Sequence, residues 1–324
     1  MKKNTHIPVL VVDFGSQTTQ LIIRRIRELC VYCEIVSYKD ILVSIKKYSP
    51  KAIILSGGPS SAFKKKSPTI DKSIFTKGIP VLGICYGMQA IAQSLEGKVK
   101  ETKKREFGRA KIKVLKESKL FENVSKVMGL SKVWMSHGDE VIELPKKFVT
   151  IATTSGSNIT AFENKDKKIY GLQFHPEVIQ TVKGKQILSN FIFNIAQIKE
   201  KWKMEDFLES QIQKIRANVL QNEVICGLSG GVDSSVTAAL LSKAIGKQLT
   251  CIFVNHGMLR TNEEVEVVKT FKEHINANLI YVNAKQIFLN KLKGVSNPET
   301  KRKIIGREII KVFEKEAKKR KNAK

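Results

Sequence analysis

The sequence has 324 residues, 42% of them hydrophobic, and its 57 basic residues against 30 acidic ones give a formal net charge of +27. This length allows two domains that each bury a core of their own. Apolar runs stay shorter than the roughly 18 residues that a membrane-spanning helix needs, which argues against a helical membrane protein. Residues 1–5 lead into a strand without the apolar region of a signal peptide, so we expect a cytoplasmic protein.

The net charge and the cysteines suggest two further functions, nucleic-acid binding and redox chemistry, for which the sequence signal is weaker. Such a charge can attract nucleic acid or any phosphate-bearing ligand. The lysines are spread along the chain, however, so we expect neither a nucleic-acid nor a membrane partner and keep charge-driven nucleic-acid binding as the alternative. Cys30 and Cys33 form an isolated Cys-x-x-Cys pair without a second half for zinc, and a redox dithiol remains an alternative. Cys226 and Cys251 lie in apolar runs and are interpreted as core residues.

The first half of the chain alternates between strands and helices. Apolar patterns predict strands over 9–13, 34–37 and 52–55 and a helix over 17–29. The third strand runs into Ser56-Gly57-Gly58-Pro59, which leaves bare backbone at the carboxyl edge of a parallel sheet, where ligands bind in open α/β folds. The N–H of Gly58 is therefore one candidate for an oxyanion hole, with an ordinary turn as the alternative.

The stretch from Pro80 to Gln89 carries the strongest chemical signal. It predicts a buried strand, a sharp turn at Cys85 and a helix that begins at Tyr86, with glycines two residues before and after the cysteine. This is the elbow of Gly-x-Ser-x-Gly hydrolases with cysteine in place of serine, and the helix N-terminus favours the reactive thiolate. The N–H of Tyr86 is the second oxyanion-hole candidate. Gln89 faces the nucleophile and is a candidate contact for the substrate; core packing is the alternative, as a buried structural cysteine is for Cys85.

A base for this nucleophile is predicted further along the chain. A strand that ends at Phe174 would present His175 at its tip, and Glu177 can turn back toward the imidazole. Alone, a His-x-Glu pair is more often a surface pair, but with the elbow it completes a Cys85–His175–Glu177 triad. The other predicted elements of this half are strands over 111–115, 133–135, 149–153 and 159–162, a hairpin loop over 164–168 and a helix over 184–198.

The second half begins where the chain becomes charged, near residues 200–205, so we predict domains 1–200 and 201–324. After an amphipathic helix, a strand over 223–228 runs into a glycine-rich loop and an apolar helix. Backbone N–H groups in such a loop converge on one point, and the helix dipole favours an anion there. A turn without a ligand is the alternative. The loop residues are Ser229, Gly230, Gly231, Val232, Asp233, Ser234 and Ser235.

The remaining elements continue the alternation, with strands over 250–254 and 278–282 around a helix over 263–273. This order predicts a parallel sheet with right-handed crossovers. A basic segment follows at 297–307, in which Lys301, Arg302 and Lys303 could close on phosphates; a solvated basic helix is the alternative.

These motifs carry a family resemblance over nearly the whole chain. Cys85, His175 and Glu177 resemble the triad of class I glutamine amidotransferases, and the glycine-rich loop resembles the pyrophosphate loop of N-type ATP pyrophosphatases. With segments 11–17 and 134–139, they make the chain similar to the family of glutamine-hydrolysing GMP synthases. The segment 297–307 is similar to the lid of that family.

The resemblance implies an α/β fold with two doubly wound domains. The first would be a flavodoxin-like amidotransferase domain and the second an incomplete ATP pyrophosphatase domain of the adenine-nucleotide alpha-hydrolase type. It implies glutamine, ATP and xanthosine monophosphate (XMP) as substrates, ammonia passing from the triad to an adenylated XMP, and Mg²⁺ near Asp233. The family supports both oxyanion-hole candidates.

Two departures from the family are also expected to matter. Asn255 stands where the family usually has aspartate, which puts contacts to adenine or metal at that edge in doubt. The resemblance fades at the basic C-terminus, and the family's C-terminal domain, which binds XMP and forms the homodimer, has no counterpart. We therefore expect a truncated chain, with a glutaminase alone or a non-functional remnant as alternatives to a complete GMP synthase.

Overall fold

The computed structural model describes residues 7–64, 66–124, 130–199, 201–275 and 277–320. Glu200 in the predicted domain boundary, the leading residues 1–5 and the last four residues of the basic C-terminus lie outside these ranges. The chain divides into two units, residues 1–203 and residues 204–324.

In its described residues the first unit forms one nine-stranded sheet. The strand order is β2-β1-β3-β4-β9-β8-β7-β5-β6, and the five strands from β2 to β9 are parallel. Because β4 and β9 are parallel neighbours, their carboxyl ends lie side by side. The strands are β1 (Val9–Asp13), β2 (Cys33–Ser37), β3 (Ala52–Leu55), β4 (Val81–Ile84), β5 (Lys98–Val114), β6 (Leu130–Glu143), β7 (Val149–Thr153), β8 (Ala161–Asn164) and β9 (Ile169–Leu172).

The antiparallel half of this sheet is dominated by the long β5–β6 hairpin, which corrects the prediction of two short strands over 111–115 and 133–135. Much of β5 is lysine and arginine, so it lacks an apolar alternation, but its backbone pairs with β6 all the same. β9 ends at Leu172 rather than at Phe174, because the N–H of His175 turns to the Trp134 carbonyl of β6.

Helices cover both faces of the parallel strands. Alternate strand residues point to opposite faces, so Val9 and Val11 share a core with α1 and α4, whereas Leu10 and Val12 share one with α2 and α3. This confirms the doubly wound α/β fold. The helix predicted over 184–198 is shorter and continues as a wider π-helical turn over Asn190–Ile195. The helices are α1 (Thr19–Arg27), α2 (Ile41–Tyr48), α3 (Tyr86–Ser94) and α4 (Gly184–Ser189).

The second unit has a three-stranded parallel sheet in the order β10-β11-β12 in its described residues. One apolar core lies on the side of α5, α6 and α7, and a second lies on the side of α8 and α9. Neither unit contains, in its described residues, a helix long and apolar enough to cross a membrane. The elements are α5 (Met204–Val219), β10 (Val224–Leu228), α6 (Val232–Ile245), β11 (Leu249–Asn255), α7 (Glu263–His274), β12 (Asn278–Asn283), α8 (Lys285–Leu292) and α9 (Pro298–Ala317).

Candidate active site

Cys85 occupies a strained turn between β4 and α3. Its φ of 52° and ψ of −107° lie outside the regions that L-residues favour. The turn is tight because α3 packs directly on the sheet: a Cβ on Gly83 would lie 2.6 Å from the Gly87 backbone, and one on Gly87 would lie 2.4 Å from the Leu55 carbonyl oxygen. The two glycines therefore allow the helix to start immediately after the cysteine.

His175 and Glu177 lie beside that turn, just beyond the end of β9. The His175 Nδ1 is 2.7 Å from Glu177 Oε1, and both side chains are buried. The backbone of the pair is also held, since Thr181 Oγ1 donates to the His175 carbonyl at 2.6 Å and Arg25 Nε donates to the Glu177 carbonyl at 3.0 Å. Cys85 lies beside the same imidazole: a Cβ on Gly57 would lie 3.3 Å from His175 Cε1 and 3.8 Å from Cys85 Cβ, and both residues line one cavity. The three residues of the predicted triad are thus brought together in the predicted order.

The electrostatics of this group favour a protonated imidazole. Burial by itself lowers the pKa of His175, but hydrogen bonds and charge interactions with Cys85 and Glu177 outweigh it and raise the pKa to about 10. Glu177 is fully buried, and its Oε2 atom has no hydrogen-bond partner in the described part of the chain. A desolvated carboxylate is therefore aimed at the imidazole, the arrangement that stabilises an imidazolium beside a thiolate.

A cavity of about 430 Å³ opens over Cys85 and His175 at the carboxyl edge of the sheet. Its size lies within the range of small-molecule sites. Loop backbone from the ends of β1 and β3 forms one side, and the β6 residues Trp134 and Ser136 form the other. The lining residues are Gly15, Ser16, Gln17, Thr18, Gly58, Pro59, Cys85, Trp134, Ser136, His175 and Val178.

Two backbone N–H groups near the sulfur are free to receive a ligand. In the described residues neither Gly58 nor Tyr86 donates its N–H to another group, whereas the N–H of Gly87, one residue further on, is bonded to the Ser56 carbonyl at 3.0 Å. A Cβ on Gly58 would lie 3.3 Å from Tyr86 Cγ, so the two residues are neighbours in space. This is where sequence reasoning predicted an oxyanion hole.

Gln89 is placed behind the sulfur rather than along the cavity. Its Nε2 donates to the Asp139 carbonyl at 2.9 Å and lies 3.3 Å from Gln173 Oε1. Gln173 is fully buried, and its Nε2 lies 3.8 Å from the Cys85 sulfur. The carbonyl of Ser136 faces the same sulfur at 3.6 Å. Sequence reasoning missed Gln173 and the Ser136 carbonyl; the only signal for the second was its position in the segment 134–139.

The glycine-rich loop of the second unit has the predicted strand–loop–helix geometry. β10 ends at Leu228, Gly230 has a φ of +76°, and α6 begins at Val232. The Ser229 hydroxyl accepts from the Gly231 N–H at 3.3 Å and contacts the Ser234 hydroxyl at 3.0 Å, so the loop is closed on itself. Ser235 donates back to the Gly231 carbonyl at 3.0 Å.

The other residues that the sequence predicts for this unit, Asp233 and Lys301 to Lys303, are exposed. Asp233 is an exposed carboxylate in the first turn of α6, and no group of three potential metal ligands occurs among the described residues. Asp233 would therefore supply one carboxylate ligand to Mg²⁺, and phosphate oxygens would have to supply most of the others. Lys301, Arg302 and Lys303 are exposed on the first turns of α9, where Arg302 pairs with Glu299 at 2.8 Å.

Asn255 is bonded within the protein, and Cys226 is less buried than the predicted core residue. The Asn255 side chain is buried and donates to Glu264 and to the Tyr281 hydroxyl, while its oxygen accepts from the Gly257 N–H at 2.9 Å. It is thus occupied by protein partners. Cys226 is only partly buried, unlike Cys251, which lies directly opposite it on β11.

A cysteine at a strand–helix elbow, next to a buried histidine–glutamate pair on the neighbouring parallel strand, defines the first unit as an α/β protein of the nucleophile-elbow class. The family model for class-I glutamine amidotransferases matches residues 10–195, and the model for NAD synthase matches residues 201–313. The chain belongs to the class-I glutamine amidotransferases.

Individual relatives extend the match over both units. The chain is 52% identical over 314 residues to the GMP synthase [glutamine-hydrolyzing] of Brachyspira hyodysenteriae and 53% identical over 311 residues to that of Clostridium botulinum strain Langeland. These alignments cover 97% and 96% of this chain, which spans about 60% of the length of each relative.

Among solved structures, the chain is similar to a protein of Thermoplasma acidophilum that is described provisionally as one component of a GMP synthase. The TM-score is 0.53 at 31% sequence identity, over 64% of this chain and 98% of that one.

Proposed function

We propose that the first unit hydrolyses the side-chain amide of glutamine. The observation that carries this proposal is that Cys85 and His175 line the same cavity, with the buried Glu177 2.7 Å from the His175 ring. The Cys85 thiolate attacks the amide carbon, and the N–H groups of Gly58 and Tyr86 stabilise the resulting oxyanion. Loss of one such donor typically costs about a hundred-fold in rate.

His175 acts as both acid and base in this scheme. As an imidazolium it gives its proton to the departing nitrogen, so ammonia leaves and a thioester to Cys85 remains. The neutral imidazole then takes a proton from water, which attacks the thioester and releases glutamate. Glu177 holds the ring and stabilises its charged form. Gln89 bonds Gln173 and Asp139 away from the cavity lining, so we propose for it a supporting role through Gln173 in place of the predicted substrate contact.

For the second unit we propose ATP as substrate. The loop from Ser229 to Ser235 presents backbone N–H groups and a helix N-terminus suited to pyrophosphate. Asp233 would hold Mg²⁺, which neutralises phosphate charge when bound. Lys301, Arg302 and Lys303 are proposed to approach the phosphates. Val232, Gly230 and Gly231 contribute backbone only.

The relatives' name suggests the overall reaction. We propose that the ammonia serves GMP formation from ATP and XMP, with ATP adenylating XMP and ammonia displacing AMP. Because the chain spans about 60% of its curated relatives, glutamine hydrolysis alone is the second candidate.

One experiment separates these candidates. Glutamate release is measured for the wild type, for Cys85→Ala and for Cys33→Ala, a matched control at another buried cysteine of the same unit. We expect loss of activity only in Cys85→Ala; equal activity of wild type and Cys85→Ala would refute the assignment. Adding ATP and XMP then tests for GMP, and glutamate release without GMP would support the glutaminase alone.

A further inference from the structure

A second buried histidine–carboxylate pair lies on the β5–β6 hairpin, outside the catalytic cavity. Glu106 and His137 are directly opposite each other in the antiparallel register, and Glu106 Oε2 is 3.2 Å from His137 Nε2. The histidine side chain is 2% exposed and the glutamate side chain 16%. No step of the proposed hydrolysis uses either residue, so the burial of this pair needs another explanation.

Both ring nitrogens of His137 face acceptors. Nε2 faces the Glu106 carboxylate, and Nδ1 lies 3.0 Å from the Asp139 carbonyl. The ring is thus held between a carboxylate on β5 and a backbone carbonyl of its own strand. The two side chains therefore act as one unit.

Glu106 is itself held in place from β7 and the turn that follows it. Thr154 Oγ1 donates to Glu106 Oε1 at 3.2 Å, and a Cβ on Gly156 would lie 2.3 Å from the same oxygen. The Thr154 hydroxyl also accepts from the N–H groups of Gly156 and Ser157. The carboxylate thus has a fixed position, and it transmits that position to the His137 ring.

The residues on either side of His137 make the contacts that reach the nucleophile. The Ser136 carbonyl faces the Cys85 sulfur at 3.6 Å, and Ser136 also lines the cavity. The Asp139 carbonyl, which His137 contacts, also accepts from Gln89 Nε2 at 2.9 Å. Fixing the His137 ring therefore fixes the backbone of residues 136–139, of which Ser136 lines the cavity.

We propose that Glu106 and His137 are positioning residues that hold the backbone of residues 136–139, and with it Ser136 at the edge of the cavity, in the conformation that binds the substrate amide. This inference rests on the proposed glutamine hydrolysis. It assigns the pair to substrate binding, because neither side chain contacts Cys85, and the carbonyls of His175 and Glu177 are held separately by Thr181 and Arg25.

The test compares Glu106→Ala and His137→Ala with the conservative Glu106→Gln. A matched control is Glu143→Gln, which removes a solvent-exposed partner of Lys98 at the other end of the same hairpin. We expect both alanine variants to raise the KM for glutamine at least about tenfold and to leave alkylation of Cys85 by iodoacetamide within about threefold of the wild-type rate. Glu106→Gln keeps an acceptor for His137, so it should retain most of the glutamine affinity that Glu106→Ala loses. The control Glu143→Gln should have the wild-type KM.

Two further measurements keep the outcome decisive. If the alanine variants fail to fold, His137→Gln, which preserves size but cannot donate to both acceptors in the same way, should raise KM about threefold or more. Glutamine affinity is also measured by calorimetry on a Cys85→Ala background. If the wild type binds glutamine but does not hydrolyse it, the proposed function is refuted. The glutamine affinities of the variants then still test the role of the pair. Alanine variants with the wild-type KM would overturn the inference. So would variants in which the rise in KM comes with equally large falls in the alkylation rate and the melting temperature.

Discussion

His175 Nδ1 lies 2.7 Å from Glu177 Oε1, and Glu177 is entirely shielded from solvent. Only Pro176 separates them in sequence, so the turn at that residue alone brings the carboxylate back to the ring. The pair therefore depends on local chain geometry, whereas its contact with Cys85 depends on the sheet.

Replacing Glu177 by glutamine should abolish most of the glutaminase activity. The amide cannot stabilise an imidazolium and can hold the ring in the wrong tautomer. We expect kcat to fall at least about a hundred-fold, with KM changed by less than about threefold. Steady-state kinetics check this, with Glu122→Gln as a control at an exposed carboxylate that bonds Asn194. An unchanged kcat would remove Glu177 from the mechanism.

The raised pKa of His175 should make the first unit less stable in alkali. The folded pKa of about 10 lies above the unfolded value of about 6.5, so the stabilisation is complete below pH 6.5 and is lost as pH rises toward 10. The slope approaches about 1.4 kcal/mol per pH unit within that window. Both tryptophans, Trp134 and Trp202, lie in the first unit, so urea unfolding followed by tryptophan fluorescence reports on it. Against His175→Gln, the stability difference should shrink with pH; a constant difference would contradict the prediction.

Adding one methyl group should have opposite effects at Gly87 and Gly306. A Cβ on Gly87 meets Leu55 backbone at 2.4 Å, so Gly87→Ala should destabilise the first unit by about 1–3 kcal/mol. Gly306 lies inside α9 with open space around it, and alanine there should stabilise the second unit by about 0.5–1 kcal/mol. Calorimetry gives both values, and tryptophan fluorescence should detect only the first. Similar effects at the two positions would mean that α3 tolerates a looser packing than described.

An aspartate at position 255 should destabilise the second unit. Asn255 is buried and donates to the partly buried Glu264, so Asn255→Asp would place two carboxylates in contact. We expect a loss of about 1–3 kcal/mol. Adding Glu264→Gln supplies a donor to the new carboxylate and should recover most of it, as a double-mutant cycle by urea unfolding would measure. Additive effects would show that the contact is energetically unimportant.

Cys226 should be the more reactive thiol of the β10–β11 pair. A hydrogen bond from Cys251 lowers the pKa of Cys226 to about 7, and the same bond, together with burial, raises the pKa of Cys251. At pH 7, iodoacetamide should label Cys226 first. Cys251→Ala removes the donor and should slow that labelling about tenfold, because less thiolate is present. The exposed Cys30 serves as internal reference in peptide mapping. Faster labelling of Cys251 would contradict the assignment.

The sequence predicted a triad, an oxyanion hole and a glycine-rich loop because their chemistry needs particular side chains at fixed spacing; the structure brings the triad residues near one another, and their roles stay predictions. It did not predict the β5–β6 hairpin, whose basic strand β5 pairs through backbone groups that any residue carries. Nor did it reveal Gln173, the Ser136 carbonyl or the Glu106–His137 pair. Each of these acts through contacts between strands that are remote in sequence, and the carbonyl contributes no side-chain signal at all.

The adjacency of β4 and β9 has a practical consequence. Cys85 and His175 each lie just beyond the end of one strand, while the whole segment from β5 to β8 lies between them in the chain. The exposed turn at residues 165–168 enters β9 at its opposite end from His175. A reporter domain spliced genetically into that turn could therefore track the folding of this unit in living cells while leaving its chemistry undisturbed.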